Sequence, residues 1–363
     1  METSNKVKWP EILSLAALNV ALVISWIAYH EYQPVLLENF SFTDLSSFLV
    51  ISKAIVLVII PPIAGLTADY FLRTKGKSFV IFTVGIGATA MIFMIVASII
   101  GAGPASQLKT FLPYMILLWL ISMNLFISPA YSMIEAFAPA KKLPIVVGFL
   151  FLVTELIYAL EPVVVSLVRF FGDTLTFVVG GLLISGSGYL FHKISSSNVE
   201  DFKRESVASP NKPVTFSTYV AIIGVGIFLG AGKAVLVEYF PEYIGFTFPD
   251  HENIAGYFSL GLLAFAAIFA FSMSSKVATM NLKKVIIISF LLLAVGSVSM
   301  VITSNLYFTL IAGVVVAGGF GLINLVGIPF AIANLSAKHI TYGIGIFIGA
   351  SELLTGVFEV ALH

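Results

Sequence analysis

The sequence contains no cysteine. That absence excludes disulfides, thiolate metal sites and a cysteine nucleophile, and it leaves the redox compartment unreadable. Charge is scarce as well. Asp, Glu, Lys and Arg make up 10% of the 363 residues, against about 25% in soluble domains. No G-x-x-x-x-G-K-[ST] phosphate loop occurs, so nothing is driven by ATP hydrolysed on this chain. H-E-x-x-H and other closely spaced metal-ligand sets are missing too, and neither metal nor cofactor is expected. No aspartate falls inside any long apolar run, which removes the paired aspartates an intramembrane protease would use. The chain is therefore not expected to be an enzyme. Its net charge of zero excludes a polybasic nucleic-acid binder.

What is present is apolar. Hydrophobic residues reach 59% and the mean hydropathy is +1.03, the composition of an integral membrane protein. A helix crossing the hydrocarbon core needs roughly 20 apolar residues. That template finds eleven runs: 12–30, 46–66, 78–100, 111–138, 143–168, 174–192, 216–238, 255–275, 284–302, 307–335 and 341–362. They are continuously apolar and do not alternate over roughly 10 residues as barrel strands do, so an all-α membrane protein is expected. The start, "METSNKVKWPE", precedes a run too long for a signal-peptide core and lacks a small-residue cleavage site. The first run is expected to stay as an anchor.

Basic residues orient the runs, because loops rich in Lys and Arg remain in the cytoplasm. Placing the N-terminus inside puts fifteen of the nineteen there: Lys6, Lys8, Arg73, Lys75, Lys77, Lys141, Lys142, Lys193, Lys203, Arg204, Lys212, Lys276, Lys283, Lys284 and Lys338. Only Lys109 and Arg169 fall outside, and Lys53 and Lys233 lie within runs. The outer loops are acidic, with Glu31, Glu38, Asp44, Glu242, Asp250 and Glu252. A multi-pass protein of the cell membrane with a cytoplasmic N-terminus is expected, working as a monomer in the lipid bilayer. The polar segment 193–215, "KISSSNVEDFKRESVASPNKPVT", has the composition of a flexible linker. It divides the chain into an N-terminal six-helix bundle (1–192) and a C-terminal bundle of five visible runs (216–363). A faint repeat relates them: Lys283 and Lys284 precede the ninth run as Lys75 and Lys77 precede the third.

Between the second and third runs stands "GLTADYFLRTKGKSF", a G-x-x-x-D-x(3)-R-x-x-G-K pattern carried by Gly65, Asp69, Arg73, Gly76 and Lys77. With six runs, a central linker and this loop, the chain resembles the major facilitator superfamily. Pro62, Gly65, Ala68, Asp69, Arg73, Gly76, Lys77 and Phe79 follow the order seen in its sucrose-transporter and glycoside-cation symporter branches. "LVISWIAYHEYQPVLLE" and "GGFGLINLVGIPFAIANLSAKHITYGIGIFIGASELL" are similar to segments of the same branches. The resemblance implies two bundles that rock about a central site. It implies a secondary active transporter with protons and a sugar or related polyhydroxylated small molecule as its partners. It also implies twelve spans, whereas the sequence ends at His363 with an eleventh, so the twelfth is expected to be absent or truncated. Two alternatives remain open: a proton-driven exporter of amphipathic compounds, and a nontransporting membrane sensor or scaffold.

Charge inside a bilayer costs about 2.5–3.5 kcal/mol per group on insertion scales, so each instance needs a reason. Glu155 lies about 18 Å into the fifth run at 1.5 Å per residue, and Glu352 a similar distance into the eleventh. Both are candidates for proton or substrate binding. Glu161, six residues on from Glu155, is rotated by roughly 240° on a continuous helix and cannot share its face; Glu359 does share a face with Glu352. Lys233 stands in "GVGIFLGAGKAVLVEYF", where Gly224, Gly226, Gly230 and Gly232 make bending or unwinding easy. It needs an acid, Glu352 or Glu238, unless it snorkels to the surface. Glu135 matches an acid of the resembled sugar transporters, or else pairs with Lys141 or Lys142. For binding a hydroxylated ring, Asn19, Trp26, Tyr29, Asn124, Tyr158 and Asn324 are available. Lys53 reads as an interfacial anchor, and His30 and Glu31 as outer-loop residues, although a histidine there could make transport pH-sensitive. The stretch from Gly65 through Asp69, Arg73, Lys75, Gly76 and Lys77 reads as a cytoplasmic turn. There Asp69 would latch a gate by pairing with a basic residue or a neighbouring helix end.

Overall fold

The computed structural model describes residues 6–208, 213–303 and 305–362. Fourteen α-helices fill them: α1 (Trp9–Asn39), α2 (Ser46–Lys75), α3 (Val80–Ala102), α4 (Leu112–Leu125), α5 (Ile127–Ser132), α6 (Leu143–Ala159), α7 (Glu161–Phe171), α8 (Asp173–Ala208), α9 (Phe216–Ala234), α10 (Phe240–Thr247), α11 (Glu252–Val277), α12 (Leu282–Ile302), α13 (Leu306–Asn334) and α14 (Ile340–Leu362). Some of them join end to end, so that eleven stretches are long and apolar enough to cross a membrane. The chain is a multi-pass, all-α membrane protein.

Proline decides where three of the expected spans break. It has no N–H to donate into the ladder and its ring displaces the carbonyl four residues back. Pro129 follows the joint between α4 and α5, and Pro162 the joint between α6 and α7. The seventh span passes through a π-helical turn, Val235–Tyr239, before Pro241 opens α10. The rotation that separated Glu155 from Glu161 assumed one continuous helix; they lie on different helices, either side of Leu160.

Two expected loops are helical. The motif beginning at Gly65 continues α2 to Lys75, and the turn is confined to Gly76, whose φ of 63° is the left-handed conformation glycine adopts without strain. The start of the expected linker 193–215 belongs to α8, which runs on to Ala208; residues 209–212 lie outside the described residues. The polar composition hid a stripe at four-residue spacing, Phe191, Ser195, Val199 and Lys203, every member of which is buried.

The buried side chains form two clusters. One draws on α1 to α8; the other draws on α9 to α14 together with Val147 and Phe151 of α6, and Tyr131 and Ile332 pack against both. The two parts of the chain meet along α2 with α14 and along α6 with α11. Glycine sets the first seam. A Cβ built on Gly65 would lie 2.3 Å from the Thr341 carbonyl oxygen, and one on Gly345 would lie 2.2 Å from that of Pro61. The α2 and α14 backbones therefore touch, as small residues permit between membrane helices. Gly345→Ala should push them apart at a cost of roughly 1–3 kcal/mol, the range for overpacking. Gly224→Ala, where nothing stands within 4 Å of the new carbon, should cost nothing. Thermal unfolding of both variants in detergent checks this, and equal melting temperatures would contradict it.

Candidate functional site

The buried charges converge between the two parts of the chain. Glycine brings α9 onto α14, because a Cβ on Gly230 would sit 2.2 Å from the Ser351 carbonyl oxygen. One turn further along α9, Lys233 meets the residue after Ser351: its Nζ lies 3.4 Å from both carboxylate oxygens of Glu352. The expected partner acid is thus Glu352, and Gly226, Gly230 and Gly232 serve close packing, while the unwinding falls later, in the π turn that carries Glu238. The contact is long and loose, with the lysine side chain 37% and the glutamate 22% exposed. Glu155 and Tyr158 of α6 lie within electrostatic reach of Lys233. Glu155 is half-buried and has no hydrogen bond or ion pair among the described residues.

Lys53 is not an interfacial anchor. Its buried amine forms an ion pair and hydrogen bond with Glu359, tying α2 to α14. Glu238 lies within reach of Glu359, Lys233 and Lys53. His30 and Glu31 are not loop residues either, because α1 continues past them to Asn39. Glu31 accepts from Arg169 at 2.6 Å, and Glu161 stands nearby at the start of α7.

At the other end of the α2–α14 seam, Asp69 is 1% exposed. Its Oδ2 accepts the backbone N–H of Tyr342 at 2.8 Å. Tyr342 is the third residue of α14, where N–H groups have no intrahelical partner and the helix dipole favours an anion. Asp69 thus meets a neighbouring helix end, while Arg73, Lys75 and Lys77 are exposed; Arg73 Nε donates to the Asp69 main-chain oxygen at 3.2 Å and not, among the described residues, to its carboxylate. Glu135 pairs neither with Lys141 nor with Lys142. Its partner is Lys203, buried on the α8 extension, at 2.5 Å. The same amine donates to the Ser132 carbonyl at 3.1 Å, and the Thr341 hydroxyl lies 3.2 Å from the Ser132 hydroxyl. One polar chain therefore links α8, α5, α14 and α2. His339 stands just before α14, where burial, then Arg73 and Lys338, push its imidazole below the ordinary histidine range. A value lowered in this way contributes stability that is present above the unfolded value near 6.5 and is lost as pH falls below it.

The expected ring-binding side chains divide. Asn19 donates to the Tyr131 hydroxyl at 2.9 Å, and Asn124 is buried and donates to Leu120 O in its own helix. Tyr29 is buried, stacked 4.8 Å from Trp119. Trp26, Tyr158 and Asn324 are half-buried with no hydrogen-bond partner for their side chains among the described residues. Sequence reasoning missed the burial of Lys203 and the helical setting of His30. The four-residue stripe on α8 could have revealed the first. His30 sits four residues after Trp26 and eleven after Asn19, on the same helix face.

Neither a protein-family model nor any curated protein matches the sequence. Solved structures do match the fold. The human organic anion transporter MFSD10 (TETRAN) superposes with a TM-score of 0.68 at 10% identity, over 98% of this chain and 92% of that one. The proton:xylose symporter XylE of the major facilitator superfamily, bound to 6-bromo-6-deoxy-D-glucose, gives 0.65 at 14% identity, over 98% and 88%. The chain thus has the fold of major facilitator superfamily transporters.

The Lys53–Glu359 pair can be tested by removing one partner or both. Breaking a buried pair costs about 3–5 kcal/mol, because the remaining charge is left uncompensated. Lys53→Met should therefore lower the melting temperature more than Lys53→Met combined with Glu359→Gln. The reverse order would show that the pair contributes nothing.

Proposed function

We propose that this protein is a secondary active transporter that works by alternating access and carries a sugar or related polyhydroxylated solute together with a proton. The observation that carries the reading is the charge balance of the central cluster. Lys233 is matched by Glu352 and Lys53 by Glu359, which leaves Glu155 and Glu238 as carboxyls near Lys233 without an ion pair among the described residues, Glu155 being the one on α6, across from α9. A mid-membrane carboxyl without a partner acquires a proton more readily than it stays charged. Once protonated, Glu155 adds no charge to the two matched pairs beside it, an arrangement suited to a neutral solute. Glu238 and Glu161 serve the wetter outer approach, and Trp26, Tyr158 and Asn324 supply a ring face and hydrogen bonds.

The two bundles, 1–192 and 216–363, rock about this cluster in the plasma membrane. The Asp69 end faces the cytoplasm, as the bias of basic residues supports. There Asp69, with the Gly65–Lys77 segment around it, is the latch that releases Tyr342 when that side opens. Asp69→Asn should slow flux severalfold while leaving solute binding from the opposite side intact, and flux at the wild-type rate would remove the latch.

The deciding experiment is uptake of a panel of labelled sugars into proteoliposomes under an imposed pH gradient. Glu155→Gln should abolish uphill uptake yet retain downhill exchange of solute. Gradient-independent flux of every sugar would end the coupling claim. Resistance to amphipathic compounds with no sugar flux would favour an exporter, and solute binding without any flux a sensor.

A further inference from the structure

Several polar groups of this cluster already have partners. Asn19 is held by Tyr131, Lys233 by Glu352 and Lys53 by Glu359. His30 is different. Its side chain is exposed although it stands inside α1, a helix whose spanning stretch is two-thirds buried. Among the described residues it makes no hydrogen bond, and it lies within electrostatic reach of Lys53 of α2 and Lys233 of α9, from the two parts of the chain. Those neighbours place the imidazole in the space between the bundles and not against lipid. Its ring centre is 5.9 Å from Trp26 and 5.6 Å from Tyr29.

We propose that His30 is a solute-binding residue, the hydrogen-bonding half of a platform whose apolar half is the Trp26 indole. The proposal rests on the sugar reading above and narrows it. An imidazole offers one donor and one acceptor side by side. A pair of adjacent hydroxyls on a ring offers the complement, since each hydroxyl both donates and accepts. The indole one helical turn away presents a flat apolar surface to the C–H face of the same ring. Tyr29 cannot take that part, being stacked on Trp119 within the core. The ligand class is therefore a cyclic polyol that shows a hydroxyl pair beside an apolar face; an open-chain amphiphile would use the indole alone.

The test uses the purified full chain, with equilibrium binding of a labelled sugar that the wild type transports and of its monodeoxy analogues. His30→Phe keeps the aromatic shape and loses both hydrogen bonds; His30→Gln keeps a donor and an acceptor. His30→Phe should bind the sugar about tenfold more weakly, with His30→Gln recovering part of the loss and both melting within a few degrees of wild type. One deoxy analogue should bind wild type about tenfold more weakly than the parent sugar, yet bind His30→Phe no more weakly than the parent does. That non-additivity marks direct contact. Parent affinity within twofold of wild type in His30→Phe, or additive losses for every analogue, would overturn the role of His30 while leaving sugar transport standing. If wild type binds no sugar of the panel, the transport reading falls and this one with it.

Discussion

Everything at the centre of this molecule depends on how closely α14 can approach its neighbours. On one side its backbone touches α2 at Gly65 and Gly345; on the other it touches α9 at Gly230. A helix held at backbone distance on two sides has little freedom to rotate or slide, so residues on its faces are placed with tight tolerance. Glu352 follows directly from that placement. The contact at Ser351 brings the next residue to Lys233, and no adjustable loop is involved. The glycines thus act on the charges indirectly, by fixing the geometry in which the charges can pair.

The α2–α14 seam also carries a polar tie near each end. Sixteen residues separate Lys53 from Asp69 on α2 and seventeen separate Tyr342 from Glu359 on α14, about 24 Å and 26 Å of helix. Nearly equal lengths let two contacts hold at once, Asp69 with the start of α14 and Glu359 with Lys53. The two differ in kind. One sets an anion against helix-end N–H groups and the other sets two full charges together, so solvent and protons act on them unequally. The proposed alternating access requires such an inequality. The polar chain from Glu135 through Lys203 and Ser132 to Thr341 makes the first tie part of a larger network, extending it to the segment that joins the bundles.

Much of this was legible in the residues. Continuous apolar runs require helices in a bilayer, because an unpaired backbone group there costs too much. The all-α class follows from that cost, the number of spans from the length of the runs, and the unusual standing of Glu155, Lys233 and Glu352 from the cost of charge in a bilayer. The likeness of the Gly65–Lys77 segment to the superfamily loop pointed to the fold before any coordinates, and the structural neighbours agree with it. Polar segments were harder. The motif and the linker both read as loops, since composition records how polar a stretch is and not which face of it is covered. Ser195, Val199 and Lys203 are unremarkable in sequence and become a helix face only because α8 lies against the first bundle.

Partners are the other part that sequence leaves open. Lys53 could have been an anchor, Glu135 could have paired with Lys141, and His30 could have been a loop residue; each assignment was sound by spacing and each depended on distant residues. The intervals 53 to 359, 135 to 203 and 233 to 352 carry no local signal. They are contacts between helices, decided by where glycine lets backbones meet and where proline breaks a span. Local chemistry therefore sets which groups must find a partner, through the cost of charge in a bilayer. Packing alone chooses the partner, because a salt bridge forms over a few ångströms and only the assembled helices bring such groups that close.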